Sequence, residues 1–324
     1  MAYLIRIKAL FVAFGFIFLS VCSYAQVWPQ GVIKIIAPFP AGGPSDMVVR
    51  LALEKLQANL KQTIIIENIA GASGNIGASL VAKAKPDGYT WLIAPDSVFT
   101  LNPHMIKNTP FKVDDLKPIA ALTSFSQVLV CHPSSNIFNL NDFVNKIKSE
   151  QLNYASGGIG SAAHISMELL LDMTGAKMTH VPYKGAIPAT QDVLAGHVPC
   201  GFLAGPAVLP YVNSGRLNVL ATSGSRRSPS LPEIKTVAEQ GIDGYEAEFS
   251  LVLFSPVGVS DEISNKFRSA IIASLNTKEN LERLKASDQI LIGSIPEVIK
   301  DKLSKDSIKW AKVIKKLNLA LDSL

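Results

Sequence analysis

The sequence is poor in the features that define several large classes of protein. Three cysteines in 324 residues are too few for a disulfide scaffold. Charged residues make up 18% of the chain against 48% hydrophobic residues, a balance that excludes a largely disordered protein. Beyond the first 25 residues, no run is long and apolar enough for a membrane-spanning helix, which takes about 20 residues. The remaining length suits two domains, each with its own core.

Motifs of common enzymes and metal sites are also missing. The chain has no G-x-S-x-G, no H-E-x-x-H and no C-x-x-C. Residues 158–163 match the dinucleotide pattern G-x-G-x-x-A, but residues 180–184, after the next strand, lack the acid that would hold a ribose. The histidines lie far apart and suggest no local metal site: His104, His132, His164, His180 and His197. We therefore expect no cofactor and no metal.

The first 25 residues have the order of a secretory signal. Two basic residues stand without an acid before the apolar run 9–21, and small residues follow, so cleavage is expected after Ala25. The apolar run, about 13 residues, is too short to span a bilayer, which disfavours an uncleaved anchor. Lipid attachment at Cys22 is disfavoured because a valine, not a small residue, precedes it. The protein is therefore expected to be exported.

The positive charge of the chain says little about its partners. The net charge of +5 becomes +3 without the two basic residues of the leader. Near the end, lysines are spaced as on the solvent face of a terminal helix whose apolar side would be Leu303, Ile308, Val313 and Leu317. A solvated helix face is favoured over a nucleic-acid patch, which would need several aromatic residues for base stacking, so no nucleic acid is expected as a partner. These lysines are Lys300, Lys302, Lys305, Lys309, Lys312, Lys315 and Lys316.

Strands and helices are predicted to alternate along the chain. Residues 32–37, 63–67 and 89–94 form a β-α-β-α-β pattern with the helices between them, which is typical of a parallel sheet covered by helices. We expect Ser45 or Asp46 to cap the first helix.

A second, similar unit begins at the predicted strand 128–131. Its strands 152–155, 178–181 and 217–221 alternate with helices, and a late apolar strand follows at 251–254. We expect the second unit to be an insertion, with the chain returning to the first unit near residue 250.

Each unit contains a loop in which a strand ends in glycines and a helix starts at once. These loops are residues 38–44 and 156–161. The start of a helix presents unpaired N–H groups and a partial positive charge, and glycine lets the backbone approach an anion closely. Two such loops facing each other across a cleft would form a clamp for a carboxylate. The alternative is that each loop is an ordinary strand-to-helix connection.

Two further features leave alternatives open. His164 follows Ser161 by three residues, so a secreted hydrolase using this pair, or Ser156, is the main rival to a binding protein. The favoured role of His164 is to support the loop or donate to a bound anion. Cys131 and Cys200 lie on predicted strands of the second unit, and an exported protein could join them. The sequence does not decide whether they are joined.

The chain resembles the substrate-binding proteins of tripartite tricarboxylate transporters, the Bug family of periplasmic receptors. The resemblance lies in motifs that follow in family order between about residues 33 and 260. They are residues 36–46, 67–68, 71–77, 84–90, 101–103, 153–156, 181–185, 225–229, 231–232, 236–239 and 255–258.

The resemblance implies an α/β fold of the two-lobed, type II periplasmic-binding-protein (Venus flytrap) kind, each lobe a mixed, mostly parallel sheet flanked by helices. With the leader at 1–25, lobe 1 would be discontinuous, 26–126 plus 251–324, and lobe 2 would be 127–250. Hinges are expected near residues 124–130 and 248–254. The implied protein has no catalytic activity, is monomeric, and delivers a small organic carboxylate to membrane permease subunits. A sensor that signals to a membrane kinase is a further alternative.

In the family, both glycine loops close on the ligand carboxylate, and Asp46 would hold its loop or a water. Two departures bear on the ligand: residues 201–206 carry no acid to meet an amino group, and Ser250 stands where many members have tryptophan. We expect a di- or tricarboxylate or an aromatic carboxylate. The predicted ligand-binding residues are Phe39, Ala41, Gly42, Gly43, Ser45, Asp46, Ser97, Ser156, Gly157, Gly158, Gly160, Ser161, His164, Tyr183, Phe202 and Leu203.

Overall fold

The strands of the computed structural model alternate with helices, as the sequence predicts. The structure describes residues 28–212 and 214–319, so the predicted leader, its cleavage site and Cys22 lie outside the described residues. From Gly31 onwards the chain belongs to one compact unit. The strands are β1 (Ile33–Ala37), β2 (Ile64–Asn68), β3 (Thr90–Pro95), β4 (Leu116–Cys131), β5 (Asn153–Ser156), β6 (Thr179–Pro182), β7 (Cys200–Ala204), β8 (Asn218–Thr222), β9 (Glu248–Pro256) and β10 (Gln289–Leu291).

The helices flank these strands, and most begin directly after a strand and a short loop. They are α1 (Pro44–Leu60), α2 (Asn75–Ala82), α3 (Ser97–Thr100), α4 (Asn102–Met105), α5 (Leu140–Ser149), α6 (Ala162–Thr174), α7 (Ala186–Leu194), α8 (Gly205–Val212), α9 (Asp261–Leu275), α10 (Lys278–Ala286) and α11 (Pro296–Leu317). Among the described helices, none combines the length and the apolar character of a membrane span.

The strands form a mixed sheet in the order β2-β1-β3-β9-β4-β7-β5-β6, with β8 and β10 also paired to β4. β1 lies parallel between β2 and β3, and β5 lies parallel between β6 and β7. β4 and β9 run antiparallel to their neighbours. Two parallel blocks covered by helices are therefore joined through β4 and β9, which confirms the predicted fold class.

β4 joins the two blocks because it is long enough to pair in both. Up to Ser126 it pairs with β9, and from Gln127 to Cys131 it pairs with β7. The sequence pattern predicts only residues 128–131 of this strand, since Pro118 and several polar residues interrupt the apolar run before them. The long strand β4 itself, rather than a linker segment, thus connects the two blocks.

Two apolar cores lie on either side of the point where β4 changes its pairing partner from β9 to β7. One packs Phe254 and its neighbours from β1, β3 and β9 under α2 and α11. The other packs Leu203 and its neighbours from β4, β5 and β7 under α7 and α8. The division into two lobes, with its boundaries near residues 126 and 250, stays a prediction.

Helix α1 starts differently from the predicted start. Its N-cap residue is Gly43, which has no side chain to cap the helix with a hydrogen bond, and its first helical residue is Pro44. Proline fits there because its missing N–H would have no partner in the first turn. The expectation that Ser45 or Asp46 caps this helix was wrong, because both lie inside the first turn.

The two cysteines left open by the sequence are joined. Cys131 and Cys200 form a disulfide across a sequence separation of 69 residues. They lie directly opposite each other at the last residue of β4 and the first residue of β7. Both are fully buried. The bond therefore fixes the register of the strand pair that begins the second block.

Helix α11 carries the predicted lysines, but its inward face differs from the prediction. Trp310 and Ile314 are buried, whereas Ile308 is 57% exposed. Lys302 does not belong to the solvent face, because its Nζ lies 3.2 Å from the carboxylate of the buried Asp96. Burial raises the pKa of Asp96 to about 6, although the charge of Lys302 works in the opposite direction.

Candidate functional site

A small cavity opens where the two blocks of the sheet meet. Its volume is about 60 Å³, measured as the space open to the centre of a water molecule. Residues from the loops after β1 and β5, the ends of β3 and β7, the middle of β4 and the start of α7 line it. The lining residues are Phe39, Pro40, Gly43, Pro44, Ser45, Pro95, Ser97, Phe125, Gln127, Gly157, Ser161, Ala162, Ala163, Gly185, Ala186, Ile187 and Ala204.

Three helices begin at this cavity. The N-caps of α1, α6 and α7 are Gly43, Ser161 and Gly185, and all three residues line it. The first N–H groups of a helix have no partner within the helix and carry a partial positive charge. At α1 and α7 the N-cap is a glycine without a side-chain cap, so these N–H groups stay available to a ligand. The cavity is thus suited to an anion.

The polar side chains that line the cavity are all uncharged. They belong to Ser45, Ser97, Gln127 and Ser161, and every other lining side chain is apolar or absent. Ser45 is buried, and its Oγ has no hydrogen-bond partner among the described residues. A buried hydroxyl without a partner is costly unless a ligand satisfies it. Ser45 is therefore the side chain best placed to donate to a bound anion.

Asp46 stabilises the loop that leads into α1 and Ser45. Its Oδ2 accepts a hydrogen bond of 2.9 Å from the Gly42 N–H and one of 2.8 Å from Arg50 Nε. Burial works to raise the pKa of Asp46, but these hydrogen bonds outweigh it and hold the pKa below its usual value. The carboxylate is thus ionised and fixes the turn before α1, as the sequence analysis proposed.

His164 supports the second loop from behind. It is buried, its Nδ1 accepts a hydrogen bond of 3.3 Å from the Gly160 N–H, and its ring stacks on His180 at 4.2 Å between centroids. Ser161 Oγ accepts from the backbone N–H of His164, at 3.2 Å. The imidazole therefore holds the loop, and the serine hydroxyl is engaged as the cap of α6 rather than as the partner of the ring.

Six of the sixteen predicted ligand-binding residues line the cavity: Phe39, Gly43, Ser45, Ser97, Gly157 and Ser161. The other ten lie in the same loops or strands without lining it. Phe202 and Leu203 are fully buried in β7, and the Tyr183 hydroxyl bonds to Asp192. The rest of this group shapes or supports the two loops: Ala41, Gly42, Asp46, Ser156, Gly158, Gly160 and His164.

Residues of β4 and α7 also line the cavity, and they are not among the residues predicted from the sequence. Phe125 and Gln127 come from β4, and Gly185, Ala186 and Ile187 form the start of α7. The sequence signal for α7 is Gly185, which stands directly before the start of a helix as the glycines of the two predicted loops do. Its backbone φ of 129° favours glycine. No comparable signal marks the residues of β4, since their place depends on which strands are neighbours.

Replacing His164 with asparagine should make the protein less sensitive to acid. Burial, helped by the neighbouring His180, lowers the pKa of His164 from 6.5 to about 3. In the unfolded chain the imidazole binds a proton below pH 6.5, so the free energy of unfolding falls as the pH drops through this range. Between pH 7 and pH 5, the wild type should lose about 2 kcal/mol more stability than the variant.

Urea unfolding at the two pH values measures this difference. Asparagine can still accept from the Gly160 N–H, so the loop contact survives the change. The exposed His197→Asn variant is the control for replacing a histidine as such. Equal losses of stability in the wild type and His164→Asn would contradict a buried neutral imidazole.

The chain is similar to several known proteins. BugT of Bordetella pertussis is 31% identical over 301 residues, 92% of each chain. The structure of R. palustris Rpa4515 with adipate has a TM-score of 0.87 at 29% identity, covering 90% of this chain and 99% of that one. MatC (Rpa3494) from Rhodopseudomonas palustris with bound malate has a TM-score of 0.82 at 27% identity, covering 89% and 100%.

Fold and cavity together define a solute-binding protein of the periplasmic-binding-protein type. Residues 48–319 match the model of the tripartite tricarboxylate transporter family receptor. The chain belongs to this family, which confirms the resemblance found in its motifs. The match runs from within α1 to the end of α11 and leaves out β1 and the loop that follows it.

Proposed function

We propose that this protein is an extracytoplasmic receptor that binds a small organic carboxylate in the cavity and delivers it to the membrane permease of a tripartite transporter. The observation that carries the proposal is the meeting of three helix N-termini around a cavity lined by uncharged side chains. Helix N-termini stabilise a carboxylate without a cationic side chain. The partnerless hydroxyl of Ser45 supplies one further donor.

The lining also supports a ligand class. It contains no acidic side chain to pair with an ammonium group, which disfavours amino acids. Phe39, Phe125 and Ile187 offer apolar surface to the carbon skeleton of the ligand. Two relatives of the same fold are described with adipate and with malate. We propose a di- or tricarboxylate or an aromatic carboxylate as the ligand of this chain.

Binding would work by closing two lobes, 26–126 with 251–324 and 127–250, about hinges near 124–130 and 248–254. Lining residues come from both sides of these boundaries, so a ligand in the cavity would contact both lobes at once. Such a ligand stabilises the closed form through contacts that the open form lacks. The protein would act as a monomer in the periplasm after cleavage behind Ala25, and without catalysis, since His164 serves as a support for the loop.

Replacing Ser45 with alanine should weaken carboxylate binding about tenfold or more. A hydrogen bond to a charged group contributes about 1.5–3 kcal/mol, and 1.4 kcal/mol corresponds to a factor of ten. Titration calorimetry with malate, adipate, benzoate and glutamate measures the affinities of wild type and variant. The wild type should bind at least one of the first three acids and prefer it to glutamate.

Ser264→Ala is the matched control, because the Ser264 hydroxyl is also buried without a partner but lies in α9, away from the cavity. Its affinity should equal that of the wild type. Tight binding of glutamate alone would reject the proposed ligand class. Unchanged affinity in Ser45→Ala would show that this hydroxyl does not bind the ligand.

A further inference from the structure

A second contact between the two blocks lies outside the cavity. It joins the loop before α2, residues 71–74, to the glycine loop before α6, residues 156–161. The hydroxyl of Ser73 donates a hydrogen bond to the backbone carbonyl of Ile159. Ser73 and Ile159 are not among the residues that line the cavity, so this bond does not touch a ligand there.

The backbone around Ser73 is held in an unfavourable conformation. Ala72 has a φ of 45° and Ser73 a φ of 52°, in the left-handed region that non-glycine residues rarely adopt. Such a conformation is strained and persists only where surrounding contacts hold it. Two of them in succession indicate that the contacts of this loop outweigh its strain.

Asn102 supplies one set of those contacts. Its Nδ2 donates to the carbonyl of Ser73 at 3.1 Å and to Oδ1 of Asn75 at 2.9 Å. The residue is fully buried, and its own Oδ1 has no hydrogen-bond partner among the described residues. This oxygen faces Gly160, since a Cβ built on Gly160 would lie only 2.4 Å from it. Asn102 therefore holds the loop of Ser73 and packs against the other glycine loop.

Gly158 shows the same close approach. A Cβ built on Gly158 would lie 3.2 Å from Ser73 Oγ. Gly158 and Gly160 have φ values of 124° and 77°, which favour glycine for the backbone as well as for the contact. The glycine loop is thus shaped against Ser73 and Asn102, and it leads directly to Ser161, the N-cap of α6 at the cavity.

We propose that Ser73 and Asn102 are positioning residues that hold the glycine loop, and with it the N-terminus of α6, against the ligand. This inference rests on the proposed function, in which the two blocks close on a carboxylate. The contact bridges predicted lobes 1 and 2, so it forms whenever the blocks close, with or without a ligand, and breaks on opening. Ser73 and Asn102 then slow the release of the ligand without contacting it.

Ser73→Ala should raise the dissociation rate of the best-bound acid among malate, adipate and benzoate about three- to tenfold, as expected for one hydrogen bond, and leave the association rate unchanged. Stopped-flow fluorescence measures both rates.

Ser73→Gly removes the same hydroxyl and relieves the backbone strain, so faster release in both variants assigns the effect to the hydroxyl. Ser149→Ala is the control, because the exposed Ser149 also donates to backbone carbonyls but lies in α5. An unchanged dissociation rate in Ser73→Ala and Ser73→Gly would overturn the proposal.

The ligand-free protein provides a second test that does not depend on the ligand. Ser73→Ala should speed amide hydrogen exchange at residues 159–164 while leaving the midpoint of thermal unfolding within about 2 °C, because one partly exposed hydroxyl contributes little to global stability. If none of the acids binds the wild type, the proposed function fails, and exchange still tests the contact. Unchanged exchange in Ser73→Ala would overturn the positioning role by itself.

Discussion

Gly160→Ala will weaken carboxylate binding by about thirtyfold, because forcing an extra methyl group into a packed contact costs about 2 kcal/mol. The new Cβ would lie 2.4 Å from Asn102 Oδ1, a distance that real side chains do not tolerate. Asn102 is fully buried and its amide is held by hydrogen bonds to Ser73 and Asn75, so its side chain resists moving aside. The methyl group therefore opposes closure of the blocks rather than the approach of the ligand.

Gly42 and Gly160 are among the predicted ligand-binding residues, and at such a position a side chain would block the approach of the carboxylate itself. The structure gives a different reason, because neither residue lines the cavity. At Gly42 a Cβ would meet Ile187 at an ordinary 3.6 Å, so replacement there adds backbone strain at a φ of 81° without a clash. Gly42→Ala should therefore weaken binding less than Gly160→Ala.

Gly175→Ala is the control that separates strain from contact. Gly175 has a φ of 66°, close to the 77° of Gly160, and nothing lies within 4 Å of the position its Cβ would take. Both variants should lose about 1 kcal/mol of stability to the left-handed backbone. Calorimetry with the best-bound acid should then show a loss of affinity in Gly160→Ala alone. Equal affinities in the two variants would contradict a contact between Gly160 and Asn102 in the bound form.

The parts of the site that could be predicted are those set by local sequence. A strand, glycines and the start of a helix follow one another within about ten residues in both loops, so periodicity and glycine placement locate the N-termini of α1 and α6. The starts of these helices do reach the cavity, through Gly43 and Ser161. The role of Asp46 as a support of its loop followed from charge alone, since a carboxylate repels an anionic ligand.

The parts that could not be predicted depend on tertiary arrangement. Phe125 and Gln127 reach the cavity because β4 changes its partner from β9 to β7 between Ser126 and Gln127. No local pattern encodes that change, since strand order results from the packing of distant segments. The contact between Asn102 and Gly160 is of the same kind, because the two residues are 58 positions apart in the printed sequence.

Reducing the disulfide between Cys131 and Cys200 will lower the free energy of unfolding by about 4 kcal/mol, the value expected when a loop of this length is released in the unfolded chain. The bond closes a loop with a sequence separation of 69 residues. That loop contains β5, β6, α6 and α7, and with them two of the three helix N-termini at the cavity. The stability of the second block, and not only of the strand pair, therefore depends on this cross-link.

Urea unfolding of the wild type with and without a reducing agent gives the effect of the bond itself, because no atoms of the side chains are removed. The double variant Cys131→Ala/Cys200→Ala should lose at least as much stability, since both sites are fully buried and smaller side chains leave a cavity. Reducing agent should lower the free energy of unfolding of the wild type and leave that of the double variant unchanged. Equal stability of oxidised and reduced wild type would show that pairing of β4 with β7 by itself, at the register from Gln127 to Cys131, holds the second block together.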